Sequence, residues 1–132
     1  MRILLAEDDS VLADGLTRSL RQSGYAIDCV KNGADADTAL STQEFDLLIL
    51  DLGLPRLSGL EVLRRLRAHP RFGTIPVVML TTSAEHEDVQ TAYALGANSY
   101  IVKPVDFDKF LAVAEQIDLY WMVLNQPPDP LP

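Results

Sequence analysis

Four short runs, each stopped by a chemically active side chain, constrain this chain more than any other feature. Ile3-Leu4-Leu5-Ala6 stops at Glu7-Asp8-Asp9, Leu47-Leu48-Ile49-Leu50 at Asp51, and Val77-Val78-Met79-Leu80 at Thr81-Thr82-Ser83. A fourth, more polar run, Ser99 to Val102, stops at Lys103-Pro104. Continuous apolar runs too short for helices suit parallel strands covered on both faces. Between them the periodicity turns helical. Leu12, Leu16 and Leu20 share one helix face, Leu60, Leu63 and Leu66 another, and Val89, Ala92 and Tyr93 a third. Tyr25 to Val30 reads as a further strand, Asn32-Gly33 punctuates, and Ala34 to Leu40 reads as a helix. Gly24 and Gly96 stand where helices would end. A last helix is expected from about Asp106 to Leu124, and the prolines from Pro127 to Pro132 are expected to fray. Five β-then-α units predict a doubly wound α/β fold around a parallel sheet. One domain, residues 1–124, with a proline-rich tail, 125–132, follows from the length of 132 residues.

Composition narrows the function. Apolar residues make up 48% and charged residues 23%, a globular balance and not a disordered one. No apolar stretch approaches membrane-spanning length, and the N-terminus turns acidic too soon for a signal peptide. A soluble cytoplasmic protein is expected. The net charge of −8 argues against direct nucleic-acid binding, since phosphates call for the opposite sign. Cys29 is the single cysteine, which excludes an internal disulfide, and a small core role is expected for it. His69 and His86 are expected to be exposed and isolated.

In a doubly wound sheet the ligand lies beyond the C-terminal strand ends, near the switch in strand order. There the chain would bring together Glu7, Asp8, Asp9, Asp51, Thr81, Thr82 and Lys103. Three or more carboxylates in one cleft repel each other, and a proton or a divalent cation relieves this. Hard oxygen donors suit Mg2+. A hydroxyl and an ammonium beside them can hold phosphoryl oxygens. The chemistry on offer is phosphoryl transfer to or from a carboxylate. Each residue alone has an ordinary explanation, such as a helix cap, an Asx turn or a solvated lysine. Their joint placement favours the functional one.

These landmarks, with Leu48 to Gly59, Pro76 to Thr82 and Gly96 to Pro104, resemble the response-regulator receiver domains of two-component signalling. The spacing agrees, at thirty residues from Asp51 to Thr81 and twenty-two more to Lys103. The resemblance covers residues 2 to about 124 and implies a CheY-like, flavodoxin-like (βα)5 fold with strand order 2-1-3-4-5. It implies that Asp51 is the phosphoacceptor, receiving its phosphoryl group from a sensor histidine kinase or phosphotransfer protein. Asp8, Asp51 and the Gly53 backbone carbonyl would hold Mg2+, with Glu7 acting through a water. Asp9, one place further on, is expected to cap the first helix. Thr81, the Thr82 backbone amide and Lys103 would contact the phosphoryl group. Tyr100 would change its exposure as Thr81 moves inward. The Lys103-Pro104 bond would be cis, which an X–Pro bond tolerates. Gly53 places no side chain beside the phosphoryl site, so a short-lived phosphorylated state is expected.

The last expected helix is apolar all round at Leu119, Tyr120, Trp121, Met122 and Val123, a pattern that calls for cover on its second face. A homodimer or partner surface is expected there. The first half resembles receivers of winged-helix transcription factors. The second half resembles stand-alone regulators that partner phytochrome-type or hybrid kinases. Seven of the eight arginines lie in residues 1–67 and none after Arg71. Together these suggest a recombined or chimeric receiver joined near residues 60–72. Three functions are open to such a chain. The first is a stand-alone phosphoacceptor with a protein contact as output, and the second is the truncated receiver of a DNA-binding regulator. The third is a phosphatase of the haloacid dehalogenase type. That class keeps a second Asp two residues after the nucleophile, where this chain has Gly53, so no enzyme activity beyond self-phosphorylation and self-dephosphorylation is expected.

Overall fold

A computed structural model describes residues 2–81 and 86–102. Five parallel strands form one sheet in the order β2-β1-β3-β4-β5. They are β1 (Arg2–Ala6), β2 (Ala26–Val30), β3 (Leu47–Leu50), β4 (Val77–Thr81) and β5 (Ser99–Val102). Four helices connect them: α1 (Ser10–Gln22), α2 (Gly33–Thr42), α3 (Gly59–Ala68) and α4 (His86–Ala94). This is the doubly wound architecture that the apolar runs predict.

Strand alternation divides the core into two layers. Leu4, Ala6, Leu48, Leu50, Val77 and Met79 pack with α2, α3 and α4 through Ala36, Leu40, Val62, Leu63, Leu66 and Ala92. Ile3, Leu5, Leu47, Ile49, Val78 and Leu80 face the other way and pack with α1 through Ala13, Leu16 and Leu20. Both faces of β1, β3 and β4 are therefore dry. Each fully buried Leu or Ile contributes roughly 1.5–3 kcal/mol relative to exposure.

The helix ends follow local chemistry. Asp9 caps α1, its carboxylate accepting from the amides of Val11 (3.0 Å) and Leu12 (3.2 Å). Asn32 caps α2 through the Asp35 amide (2.8 Å), and Ser58 caps α3 through the Glu61 amide (3.2 Å). At the end of α1, Gly24 takes φ +95°. Its amide donates to Arg21, and that of Tyr25 to Leu20, which satisfies two of the last helical carbonyls. Tyr25 and Leu20 pack in the same layer.

Several expectations need correction. Cys29 is exposed, not core. β2 is a sheet edge, and Ile27 is the one buried residue on it. Tyr25 precedes that strand, held by the α1 cap. The helix read over 34–40 extends to Gly33–Thr42. Tyr93 is 48% exposed, because only Ala92 of its expected face turns inward fully. His69 is neither isolated nor fully exposed. Its Nδ1 accepts from the amides of Arg71 (3.1 Å) and Phe72 (3.2 Å), and its ring stacks on Phe72. The expected helix over 106–124 and the tail lie outside the described residues. Among the described residues no helix is long and apolar enough to cross a membrane.

Candidate functional site

The strand order reverses at β1, whose neighbours are β2 and β3. Ala6 and Leu50 are register partners at the ends of β1 and β3, so the residues that follow them are neighbours. Glu7, Asp8 and Asp51 accordingly converge, with one carboxylate oxygen from each within 4.8 Å of the others. Glu7 is 1% exposed and Asp51 6%, whereas Asp8 is exposed. Two buried carboxylates and an open third form a hard-oxygen donor set of the kind a small divalent cation takes while keeping several waters. This donor chemistry suits Mg2+.

The backbone holds the set in place. Glu7 N–H donates to the Val30 carbonyl (3.0 Å) and Asp51 N–H to the Ala6 carbonyl (3.0 Å). Glu7 Oε2 accepts from the Asp9 amide (3.3 Å), and Asp51 Oδ1 from the Gly53 amide (3.3 Å). Past Asp51 the chain turns sharply. Leu57 N–H donates back to the Pro55 carbonyl (2.8 Å) around Arg56 at φ +68°, and Gly59 N–H donates to Leu52 (2.9 Å). A side chain at Gly59 would put its Cβ 2.1 Å from the Asp51 carbonyl oxygen, so only glycine permits that return. A Cβ at Gly53 would meet nothing within 4 Å, which leaves open space beside Asp51.

The other expected site residues are distributed as follows. Thr81 ends β4 in register with Val102 of β5. Tyr100, on β5 beside Met79, is partly buried against the α2–α4 layer. Thr82, Lys103 and Pro104 lie outside the described residues, as do Leu119, Tyr120, Trp121, Met122 and Val123. Two glycines that shape the site have only minor places in the sequence reading, Gly33 as punctuation and Gly59 within the stretch Leu48 to Gly59. Neither carries a local signal, because each is required by a loop backbone that packs on it, Leu57 on Gly33 and Asp51 on Gly59.

A parallel α/β sheet with an acidic cleft at its switch point and a hydroxyl residue ending the adjacent strand defines the receiver class. The family model for the response regulator receiver domain matches residues 3–115, and the chain belongs to that family. It is 48% identical over 112 residues to the response regulator protein PmrA of Pseudomonas aeruginosa, covering 85% of this chain and 50% of that protein. The Mn2+-bound form of response regulator Rcp1 superposes with a TM-score of 0.89 at 29% identity, covering 97% of this chain and 99% of that one. The phosphorylated cyanobacterial phytochrome response regulator RcpA gives 0.89 at 28%, covering 97% and 98%. The chain spans about half the length of the first curated relatives it matches, which include transcriptional regulators.

Proposed function

We propose that this receiver takes a phosphoryl group from a histidine kinase or phosphotransfer protein onto Asp51. The observation that carries the reading is the convergence of Glu7, Asp8 and Asp51 within 4.8 Å at the β1 and β3 ends. A carboxylate oxygen of Asp51 attacks phosphorus as the P–N bond of a phosphohistidine breaks. The imidazole leaves with the bonding electron pair and takes up a proton. Hydrolysis of the resulting acyl phosphate returns the Asp51 carboxylate and inorganic phosphate. Asp8, Asp51 and the Gly53 carbonyl would hold Mg2+ directly and Glu7 through water. The ion, when bound, would offset phosphoryl charge that the acids alone would repel. Thr81, the Thr82 amide and Lys103 would receive the phosphoryl oxygens. Tyr100 would follow Thr81, and α4, β5 and the last helix would form the output face, with homodimerisation through Leu119 to Val123. The open space at Gly53 supports a short phosphoryl lifetime, and the chain would turn over no foreign substrate. A cytoplasmic location accords with a kinase partner.

The likeness to about half the length of transcriptional regulators favours a second reading, in which the receiver serves a DNA-binding domain. Intact mass after incubation with Mg2+ and a small phosphodonor tests the chemistry. One added phosphoryl group is expected, absent in Asp51→Asn, with a shift in size-exclusion elution if the output is a dimer. Unaltered labelling in Asp51→Asn would overturn the assignment.

A further inference from the structure

We propose that Gly33 is a positioning residue for the acidic cleft, and that the β2–α2 turn, Val30 to Gly33, sets the spacing of its carboxylates. The proposal rests on the reading of the cleft as a cation and phosphoacceptor site. The turn contacts both acid-bearing segments. The Val30 carbonyl accepts from the Glu7 amide (3.0 Å), and Lys31 Nζ donates to Ser10 Oγ (3.1 Å), just past Asp8 and Asp9. From the same turn, the Gly33 amide donates to the Pro55 carbonyl (3.0 Å) in the loop that leaves Asp51.

The contact at Gly33 has no slack. A Cβ there would lie 1.8 Å from the Leu57 carbonyl oxygen and 2.6 Å from its carbonyl carbon. Both are backbone atoms, so the whole loop must move to admit a methyl group. The loop cannot absorb that locally. Leu57 is tied to Pro55 by the turn at Arg56, and Gly59 is tied to Leu52 and pressed on the Asp51 carbonyl. A push at Leu57 is therefore passed to Asp51 and Gly53. Asn32 keeps α2 in place against the push by capping its first turn. Groups hydrogen-bonded to metal ligands typically change affinity by about 10–100-fold when altered, and a displacement passed on through the loop backbone is expected at the lower end of that range.

The test compares Gly33→Ala with Gly73→Ala in the full chain. A Cβ at Gly73 also meets backbone, 2.6 Å from the His69 carbonyl oxygen, but in the loop that leads into β4, away from the acids. Titration calorimetry with Mg2+ is expected to show about a tenfold weaker Kd for Gly33→Ala and a Kd within about twofold of the parent for Gly73→Ala. In metal-free protein, hydrogen exchange at Gly53 and Leu57 should accelerate in Gly33→Ala while that of Leu48 to Leu50 holds. Should Gly33→Ala fail to fold, Asn32→Ala loosens the same helix start without adding volume, and a Kd weaker than that of the parent and of Gly73→Ala is expected. An unchanged Mg2+ affinity in the folded variant, or equal weakening by Gly33→Ala and Gly73→Ala, would overturn the proposal. A parent chain that bound no Mg2+ would overturn the reading of the cleft itself. The metal-free exchange pattern would still report whether the turn holds the loop, so the two failures are distinguishable.

Discussion

Arg56 is the described non-glycine residue held at positive φ, +68°, and it centres a three-residue turn closed by Leu57 N–H on the Pro55 carbonyl. Such turns are strained, and a left-handed conformation costs an L-residue roughly 1–2 kcal/mol. Glycine would remove that strain but would lose about 0.5–1 kcal/mol through its freer unfolded chain. Strain outweighs entropy, so Arg56→Gly is expected to stabilise the protein by up to about 1 kcal/mol, read as a higher urea midpoint at unchanged m-value. A second residue reports on pH. Arg64 and then Arg65 hydrogen-bond the Glu61 carboxylate and hold its pKa at about 2, below the ordinary 4.5. A depressed carboxylate stabilises the fold above its unfolded pKa and loses that contribution as pH falls through the folded one. The stability difference between the parent and Glu61→Gln should be constant above about pH 5 and vanish towards pH 2. The pair is exposed and screened, so the difference is small and shrinks with salt.

At the scale of elements, the end of α3 is joined to the start of β4 and β5 by one guanidinium. Arg67 donates to the carbonyls of Gly96 (3.1 and 2.6 Å), Gly73 (3.0 Å) and Ile75 (2.5 Å) and to Asn98 Oδ1 (3.0 Å). Asn98 Oδ1 also accepts from the Val77 amide (2.9 Å). These acceptors are neutral, and burial pushes the Arg67 pKa down. Arg67→Met would strand several of them at roughly 1–3 kcal/mol for each carbonyl that water fails to reach. Arg67→Lys should recover little, since an ammonium lacks the planar fork. The expected loss is about 2–3 kcal/mol, with the amides of Val77 and Ala97 exchanging faster than those of β1. Every one of these bonds reaches past α3, into the segments that lead to β4 and β5. This network was illegible in the sequence, because acceptors on backbone carbonyls carry no residue signature. What was legible depended on pattern. Leu47 to Leu50 reads as a strand because both faces are covered, and Leu16 and Leu20 mark a helix because one face is. β2 reads as a strand, but with Ile27 alone buried it offers no burial pattern, and the core role expected for Cys29 was wrong. The convergence of Glu7, Asp8 and Asp51 was legible because each follows an apolar run, and parallel strands align such ends. The brace at Gly33 was not, because it depends on a loop crossing 24 residues away in sequence.

For the molecule as a whole, the cleft sets function against stability. The chain carries a net charge of −8 and folds with two of its carboxylates, Glu7 and Asp51, buried beside Asp8. Like charges at this range oppose folding, and burial leaves little solvent to screen them. Two consequences follow in opposite directions. Without a cation, Asp51→Asn removes one charge from the cluster while keeping its shape, so the variant should unfold at a higher temperature than the parent. With Mg2+ at a hundred times its Kd, the parent should gain about 2.7 kcal/mol, because the ion binds the folded state. That corresponds to a rise of several degrees for a domain of this size. Asp51→Asn lacks one ligand charge and should gain much less, so the order of stabilities inverts on adding Mg2+. NaCl at matched ionic strength provides the control, since screening alone cannot reach the buried pair. Thermal melts of both proteins in the two salts decide the matter. Inversion specific to Mg2+ would tie the destabilising cluster to cation binding. Parallel shifts in both proteins would place the cation elsewhere on this acidic surface.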